Sequence, residues 1–203
     1  STFQNIDKGA GAGNGFLAWS VGVSDLNDDG YPDLMIANDF SGNRVFINQK
    51  NETFEGRSNA YLGEQFDTSN MGVEFGDVNN DGLQDVYVTN ISRSTFTPNH
   101  HDFMYVKNAD NHAFTEKSEE LRVDRCGWAW GSKFADFDLD GKLDLFVVNG
   151  FFSDGPKDFW YAWSVYTSLP AFMVNGPEIM PNSNGSSLDG NQRSCVFWQG
   201  QDG

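Results

Sequence analysis

The sequence is poor in residues that several common classes of protein require. Its 203 residues include two cysteines, three histidines and 13 basic side chains, against 29 acidic ones. None of the cysteines and histidines has the spacing of a zinc site. The formal net charge of −16, with no basic patch to offset it, argues against a nucleic-acid partner because phosphates would be repelled.

Long apolar runs and long stretches of helical periodicity are also missing. No run approaches the roughly 18 consecutive apolar residues of a transmembrane helix, so none is predicted. The chain is instead rich in glycine, with 22 residues, and in aromatic residues, at 15%. This composition favours an all-β fold, and the length suits one domain or an array of repeats.

One acidic pattern, D-x-[DN]-x-D-G-x-x-D, recurs along the chain. It reads DLNDDGYPD at 25–33, DVNNDGLQD at 77–85 and DFDLDGKLD at 136–144. Oxygens at loop positions 1, 3, 5 and 9 can surround one hard cation, and position 7 can add its backbone carbonyl. Glycine at position 6 permits a turn that other residues resist.

Each copy of the pattern therefore predicts a Ca²⁺ site, because ligand sets made only of oxygen favour Ca²⁺ over Zn²⁺. The predicted ligands are Asp25, Asn27, Asp29, Tyr31 and Asp33; Asp77, Asn79, Asp81, Leu83 and Asp85; and Asp136, Asp138, Asp140, Lys142 and Asp144.

An EF-hand is the main alternative for such loops. It requires a bidentate glutamate at position 12, where this chain has Ile36, Val88 and Val147. These residues lie in the runs DLMIAN, DVYVTN and DLFVVN, which predict buried strands and not helices. The remaining alternative, three acidic hairpin turns without an ion, is the less favoured interpretation.

The similarity extends beyond the loops. An alternating strand precedes each one (WSVGVSD, MGVEFGD, WGSKFAD), with bulky residues on the face expected to pack. After the buried strand comes a third strand (NRVFINQ, DFMYVKN, RSCVFWQ) and, in the first two units, a fourth (ETFEGR, HAFTEK). We therefore predict β-propeller blades of four short strands, in units of about 17–58, 69–120 and 127–203 within one segment, 1–203.

These units resemble FG-GAP/VCBS repeats, the calcium-binding blades of integrin α-subunit propellers and of many secreted bacterial proteins. The stretches MGVEFGDVNNDGLQDVYVTN and WAWGSKFADFDLDGKLDLFVVNG are most similar to the cartilage acidic protein (ASPIC/UnbV-type) group. The resemblance implies a β-propeller with Ca²⁺ between the first and second strands of each blade, hence about three ions. It does not imply one function, because adhesion proteins, carbohydrate binders and a few enzymes share these repeats.

We expect a non-catalytic binding or adhesion scaffold with a protein or carbohydrate ligand. We expect it to be secreted, periplasmic or on the cell surface, where calcium is plentiful. The alternatives are a carbohydrate-active enzyme of the lyase or dehydratase type and a lectin. His100 and His101, beside Asp102, are the main candidates for acid–base chemistry. Neighbours on a strand point to opposite faces, however, so a shared role is not favoured.

An insertion at about 151–193 interrupts the third unit. After Pro156, apolar residues recur at helical spacing and predict a short amphipathic helix. These are Phe159, Trp160, Trp163, Tyr166 and Leu169. We expect this face to pack on the propeller, with a ligand-binding aromatic platform as the alternative.

The cysteines and the two ends of the chain complete the predictions. Cys126 and Cys195 are expected to be free thiols, because the second strand of the unit separates the segments that carry them.

The opening STFQNI matches a fourth strand, and no fourth strand follows RSCVFWQGQDG. Three blades are fewer than the four that a closed propeller needs. The favoured interpretation is a segment of a larger propeller. The alternative is pairing with another chain, such as a second copy giving six blades.

Overall fold

The fold is nearly all β. The structure, a computed structural model, describes residues 10–150 except 14, 65 and 92–100, residues 193–200, and the backbone of the pairs 157–158 and 186–187. Three consecutive antiparallel blades account for most of these residues, which confirms the predicted fold class.

The first two blades are four-stranded meanders. The first contains β1 (Leu17–Ser24), β2 (Asp33–Ser41), β3 (Arg44–Asn48) and β4 (Phe54–Gly56). A one-turn helix, α1 (Ser58–Leu62), leads out of it. The second contains β5 (Thr68–Gly76), β6 (Asp85–Asn90), β7 (Phe103–Lys107) and β8 (Phe114–Glu116).

In the third blade the structure describes three strands, in the order β13–β10–β9. They are β9 (Ala129–Ala135), β10 (Asp144–Asn149) and β13 (Cys195–Phe197). Between β10 and β13, β11 (Lys157–Asp158) and β12 (Ser186–Ser187) form a parallel pair. The insertion's predicted aromatic helix lies outside the described residues, as do His100 and the STFQNI segment.

Consecutive blades are joined by one repeated contact. Asp39 in β2 pairs with Ser69 in β5, and Ile91, just after β6, forms a bridge with Trp128, just before β9. The two contacts occupy equivalent positions relative to their loops. The first junction makes blades one and two a single curled sheet of eight strands. The sheet is an incomplete propeller.

Side chains between the blades form three hydrophobic clusters, of which the smallest joins Met71 and Ile91 to Trp128. We call the face of a blade that packs on the preceding blade its front face, and the opposite side its rear face. The front face of blade two, including Val73, Phe75 and Val88, packs on Leu26 and Met35 of blade one. The front face of blade three, including Phe134 and Leu145, packs on Val78 and Tyr87 of blade two.

Glycines in the first strands allow this close approach. A Cβ at Gly22 would lie 2.6 Å from both Val73 and Phe75, and one at Gly76 would lie 2.7 Å from the ring of Phe134. Both distances are too short for a side chain. The small residues before the loops therefore accommodate the bulky front face of the next blade.

The expectation of a packed first strand is wrong for blade one. Trp19 and Val23 are more than half exposed. Phe75, the equivalent of Val23 in blade two, packs against residues of blade one, whereas no described residue lies where a blade preceding blade one would be. Met71, the equivalent of Trp19, is buried in a cluster with Ile91 and Trp128. In contrast β6, in the middle blade, is buried along its whole length, as predicted.

The expectation of free thiols is also wrong, because Cys126 and Cys195 form a disulfide. The lead-in to β9 bends across the end of β10, where the side-chain amide of Asn149 donates a hydrogen bond to the carbonyl of Cys126. This bend brings Cys126 past the intervening strand to β13.

Among the described residues, no helix is long and apolar enough to cross a membrane.

Candidate metal centres

The three acidic loops connect the first and second strands of their blades and share one backbone conformation. Position 4 has a positive φ in each loop, with 57° at Asp28, 57° at Asn80 and 62° at Leu139. The glycine at position 6 also has a positive φ, of 84–87°. Only glycine adopts this conformation freely, which explains its presence at position 6.

The aspartate at position 1 holds the turn together. Its Oδ1 accepts a hydrogen bond from the position 5 N–H at 3.0 Å in every loop. Its Oδ2 accepts one from the glycine N–H at 2.7 Å in the first loop, 2.8 Å in the second and 2.9 Å in the third. The position 5 carboxylate in turn accepts the N–H of position 7. The side chains at positions 1, 3 and 5 are thereby gathered on the inside of the turn.

The aspartate at position 9 joins the loop to the rest of its blade. Asp33, Asp85 and Asp144 are each at most 1% exposed. One oxygen accepts the N–H of loop position 2, and the other accepts the N–H of the residue at the end of the third strand or just beyond it. These carboxylates therefore have a structural role in addition to the predicted metal role, which the sequence pattern did not reveal.

Position 3 distinguishes the third loop from the other two. The side-chain amides of Asn27 and Asn79 each donate a 2.9 Å hydrogen bond to the position 5 carboxylate. Asp138 carries no such donor. It adds a carboxylate to those of Asp136 and Asp144, and oxygens from the three lie within 4.8 Å of one another.

Burial alters the pKa of the position 9 carboxylates in the first two loops. Burial raises the pKa of Asp85 to about 6, and the neighbouring charges of Asp81 and Asp77 act in the same direction. Burial also raises the pKa of Asp33. A cation among these oxygens would oppose both shifts, because a nearby positive charge favours the ionised carboxylate.

A residue at the end of the third strand, or just beyond it, links the first and second loops to the blade that follows each of them. The ammonium of Lys107, whose side chain is buried, donates to both carboxylate oxygens of Asp28 at 2.9 and 3.0 Å. The side-chain amide of Gln199 donates to the carbonyl of Val78 at 2.7 Å. The two positions are equivalent in blades two and three. The sequence gives no signal for these contacts, because they join residues far apart in the chain.

The predicted ligands at position 7 are Tyr31, Leu83 and Lys142. Their backbone N–H groups bond to the position 5 carboxylates, so the backbone at this point closes the turn. Their carbonyls remain predicted ligands. The Lys142 ammonium extends to the carbonyl of Gly200 at 3.1 Å.

His101 lies apart from the loops, in the wall of a groove of about 480 Å³ that is lined by blade two and by the connecting segments on either side of it. The rings of His101 and Phe103 are 4.5 Å apart, and Phe103 stacks on Tyr105 at 5.6 Å. The His101 imidazole is 4.0 Å from the carboxylate of Glu116. Polar residues complete the lining, namely Glu64, Glu116, Glu119, Asp124 and Arg125.

Comparison with known families agrees with the repeats seen in the fold. Residues 25–88, from the first loop to within β6, match the family model described as an FG-GAP-like repeat. No curated protein matches the chain. Together with the blade architecture, the family match supports an FG-GAP repeat protein.

Proposed function

We propose that this chain is a calcium-binding propeller scaffold that acts outside the cytosol, with one Ca²⁺ in each of its three loops. The observation that carries the proposal is the cluster of Asp136, Asp138 and Asp144, whose oxygens lie within 4.8 Å of one another. Carboxylates at this distance repel one another, and a cation among them would turn this repulsion into attraction.

The donor set suits Ca²⁺ in each loop. Positions 1, 3, 5 and 9 offer carboxylate or amide oxygens, and position 7 offers a carbonyl, which are the ligands that Ca²⁺ prefers. Bound Ca²⁺ would supply positive charge between the first and second strands of a blade. Because position 9 also bonds to the third strand, the ion would stabilise three strands together.

The backbone at Leu139 is a second observation that supports a metal-binding role for the loop conformation. It has a positive φ of 62°, which costs a non-glycine residue stability, and its side chain is 87% exposed, so packing does not compensate. The loop keeps the conformation of its two counterparts in spite of this residue.

The scaffold is proposed to be non-catalytic, to bind a protein or carbohydrate ligand, and to be secreted, periplasmic or on the cell surface. The proposed location follows from the proposed calcium sites, because calcium is plentiful outside the cytosol and fills loops of modest affinity there. We also propose a relation to the ASPIC/UnbV-type group, on the resemblance of the stretches MGVEFGDVNNDGLQDVYVTN and WAWGSKFADFDLDGKLDLFVVNG.

A lectin or carbohydrate-active enzyme is the second candidate, and the groove beside His101 favours it. Aromatic rings and carboxylates are the groups that stack on sugars and bond to their hydroxyls. Saturation-transfer NMR with a panel of oligosaccharides tests this candidate. Binding that is lost in Arg125→Ala would support the groove as the site, and turnover of a bound saccharide that is lost in His101→Ala would support an enzyme.

Thermal unfolding with and without calcium tests the principal proposal. We expect EGTA to lower the Tm and added Ca²⁺ to restore it, because ion binding stabilises only the folded state. Asp138→Ala should reduce this response, whereas the matched control Asp110→Ala, at an exposed acidic residue outside the loops, should not. A Tm that is indifferent to EGTA and to Ca²⁺ would contradict the proposal.

A further inference from the structure

The described part of the chain ends in an exposed apolar surface on each side. The first is the front face of blade one, where Val21 and Val23 of β1 are 56% and 58% exposed. Beyond the register shift between Ala18 and Ser20, Leu17 and Trp19 are 61% and 57% exposed, and the Trp19 ring lies 6.1 Å from that of Trp130 in blade three. Contiguous apolar surface of this kind is unusual on a monomer and marks an interaction site.

The equivalent positions of the other blades show what this face is built to contact. In blade two, Val73 and Phe75, the equivalents of Val21 and Val23, pack against the cluster between blades one and two. In blade three, Phe134 packs on Tyr87 of blade two. A front face is therefore covered by the rear face of another blade wherever one is present.

The second exposed surface is the rear face of blade three. Phe137, Val148, Val196 and Trp198 are exposed by 42–59%. The residues at the same positions of blade one are buried beneath blade two, with exposures of 0–7%. They are Leu26, Ala37, Val45 and Ile47.

A glycine leaves the same space on the rear face of blade three as on the rear face of blade two. A Cβ at Gly72 would lie 2.5 Å from the carbonyl oxygen of Trp130 in the next blade. At the equivalent Gly131, the nearest atom to such a Cβ belongs to Val148 in the same blade, at 3.7 Å. Blade three thus has the space that admits a front face, with no described residue of a following blade in it.

We propose that the front face of blade one docks on the rear face of blade three of a second copy of this chain. The contact continues the interface already repeated twice within each copy. If both pairs of faces engage, two copies form a closed ring of six blades, which is within the range of about four to eight blades found in propellers. Such a ring has no open blade face.

The test is the mass of the chain in solution. Because each copy has a net charge of −16, sedimentation is measured in moderate salt with Ca²⁺ present, which weakens the repulsion between copies. We expect twice the 22.6 kDa of one chain at micromolar concentration. Val23→Glu, on the front face, and Val196→Glu, on the rear face, should each give monomers. The control Leu121→Glu, at an exposed apolar residue away from both faces, should remain a dimer.

Mixing the two variants provides the sharper result. Val23→Glu retains an intact rear face and Val196→Glu an intact front face, so the mixture should form a heterodimer through one interface, although each variant alone does not. Circular dichroism checks that both variants are folded. A monomeric wild-type chain would overturn the proposal and indicate that blades outside this sequence cover the faces. Dimers that both substitutions leave intact, or open-ended polymers of the wild type, would also overturn it.

Discussion

The second and third acidic loops have the same backbone and different numbers of carboxylates. Both have a positive φ at positions 4 and 6, and both use the position 1 carboxylate to bind the N–H groups of positions 5 and 6. They differ at position 3, where the second loop has Asn79 and the third Asp138. The shared positions therefore set the shape of the loop, and position 3 sets whether the loop has three carboxylates or four.

The difference also separates two kinds of carboxylate. Asp85 and Asp144 bond to the backbone on both sides and are buried. Asp138 is exposed, and its one hydrogen bond that is described is a 3.2 Å contact from Asp140 N–H. We expect the first kind to stabilise the blade with or without a metal, and the second kind to act through the metal.

The largest effect is expected for Asp85→Ala. It leaves the N–H groups of Val78 and Lys107 buried without their partner, which should cost about 3 kcal/mol of unfolding free energy. Urea unfolding in EGTA measures this loss of unfolding free energy. Asp138→Ala in the same buffer should be nearly neutral. Equal losses for the two variants in EGTA would show that the two kinds of carboxylate are not distinct.

A smaller effect is expected on calcium affinity. Asp138→Ala removes a charged ligand and Asn79→Ala a neutral one, so the first should weaken Ca²⁺ binding to its loop about tenfold more than the second, or by about 1.4 kcal/mol. Asn79→Asp should strengthen binding to the second loop. Calorimetric titration of the variants compares them. A stronger effect at Asn79 than at Asp138 would contradict the role given to charge.

The smallest effect concerns position 4. Leu139→Gly should stabilise the protein by up to about 1 kcal/mol, because glycine adopts a positive φ without strain. Asn80→Gly should gain less, because asparagine tolerates this conformation better than leucine does. Thermal unfolding of both variants tests this order. Destabilisation by Leu139→Gly would show that the leucine side chain has a packing role.

The strands and loops could be predicted from the sequence because their signals are local. The alternation in WSVGVSD, MGVEFGD and WGSKFAD identified the first strands, and the aspartate spacing identified the loops between β1 and β2, β5 and β6, and β9 and β10. The exposure of Trp19 and Val23 could not be predicted in this way, since alternation shows which face is apolar but not whether another blade covers it.

Contacts between residues far apart in the chain also could not be predicted from the sequence. The disulfide between Cys126 and Cys195 depends on a bend of the segment before β9, which has no local signature. The ion pair between Lys107 and Asp28 crosses from one blade to another. Similarly, the second role of Asp33, Asp85 and Asp144 depends on where the third strand ends, so the nine-residue pattern could identify these residues only as ligands.

The most direct test of the central claim is the number of calcium ions that the chain binds. Protein freed of metal with EGTA and then dialysed is titrated with Ca²⁺ in a calorimeter. We predict three ions for each chain, one for each loop, and two for a variant in which Asp136 and Asp138 are both replaced by alanine. The absence of saturable Ca²⁺ binding, or the same number of ions in the variant, would contradict the claim that these loops are calcium sites.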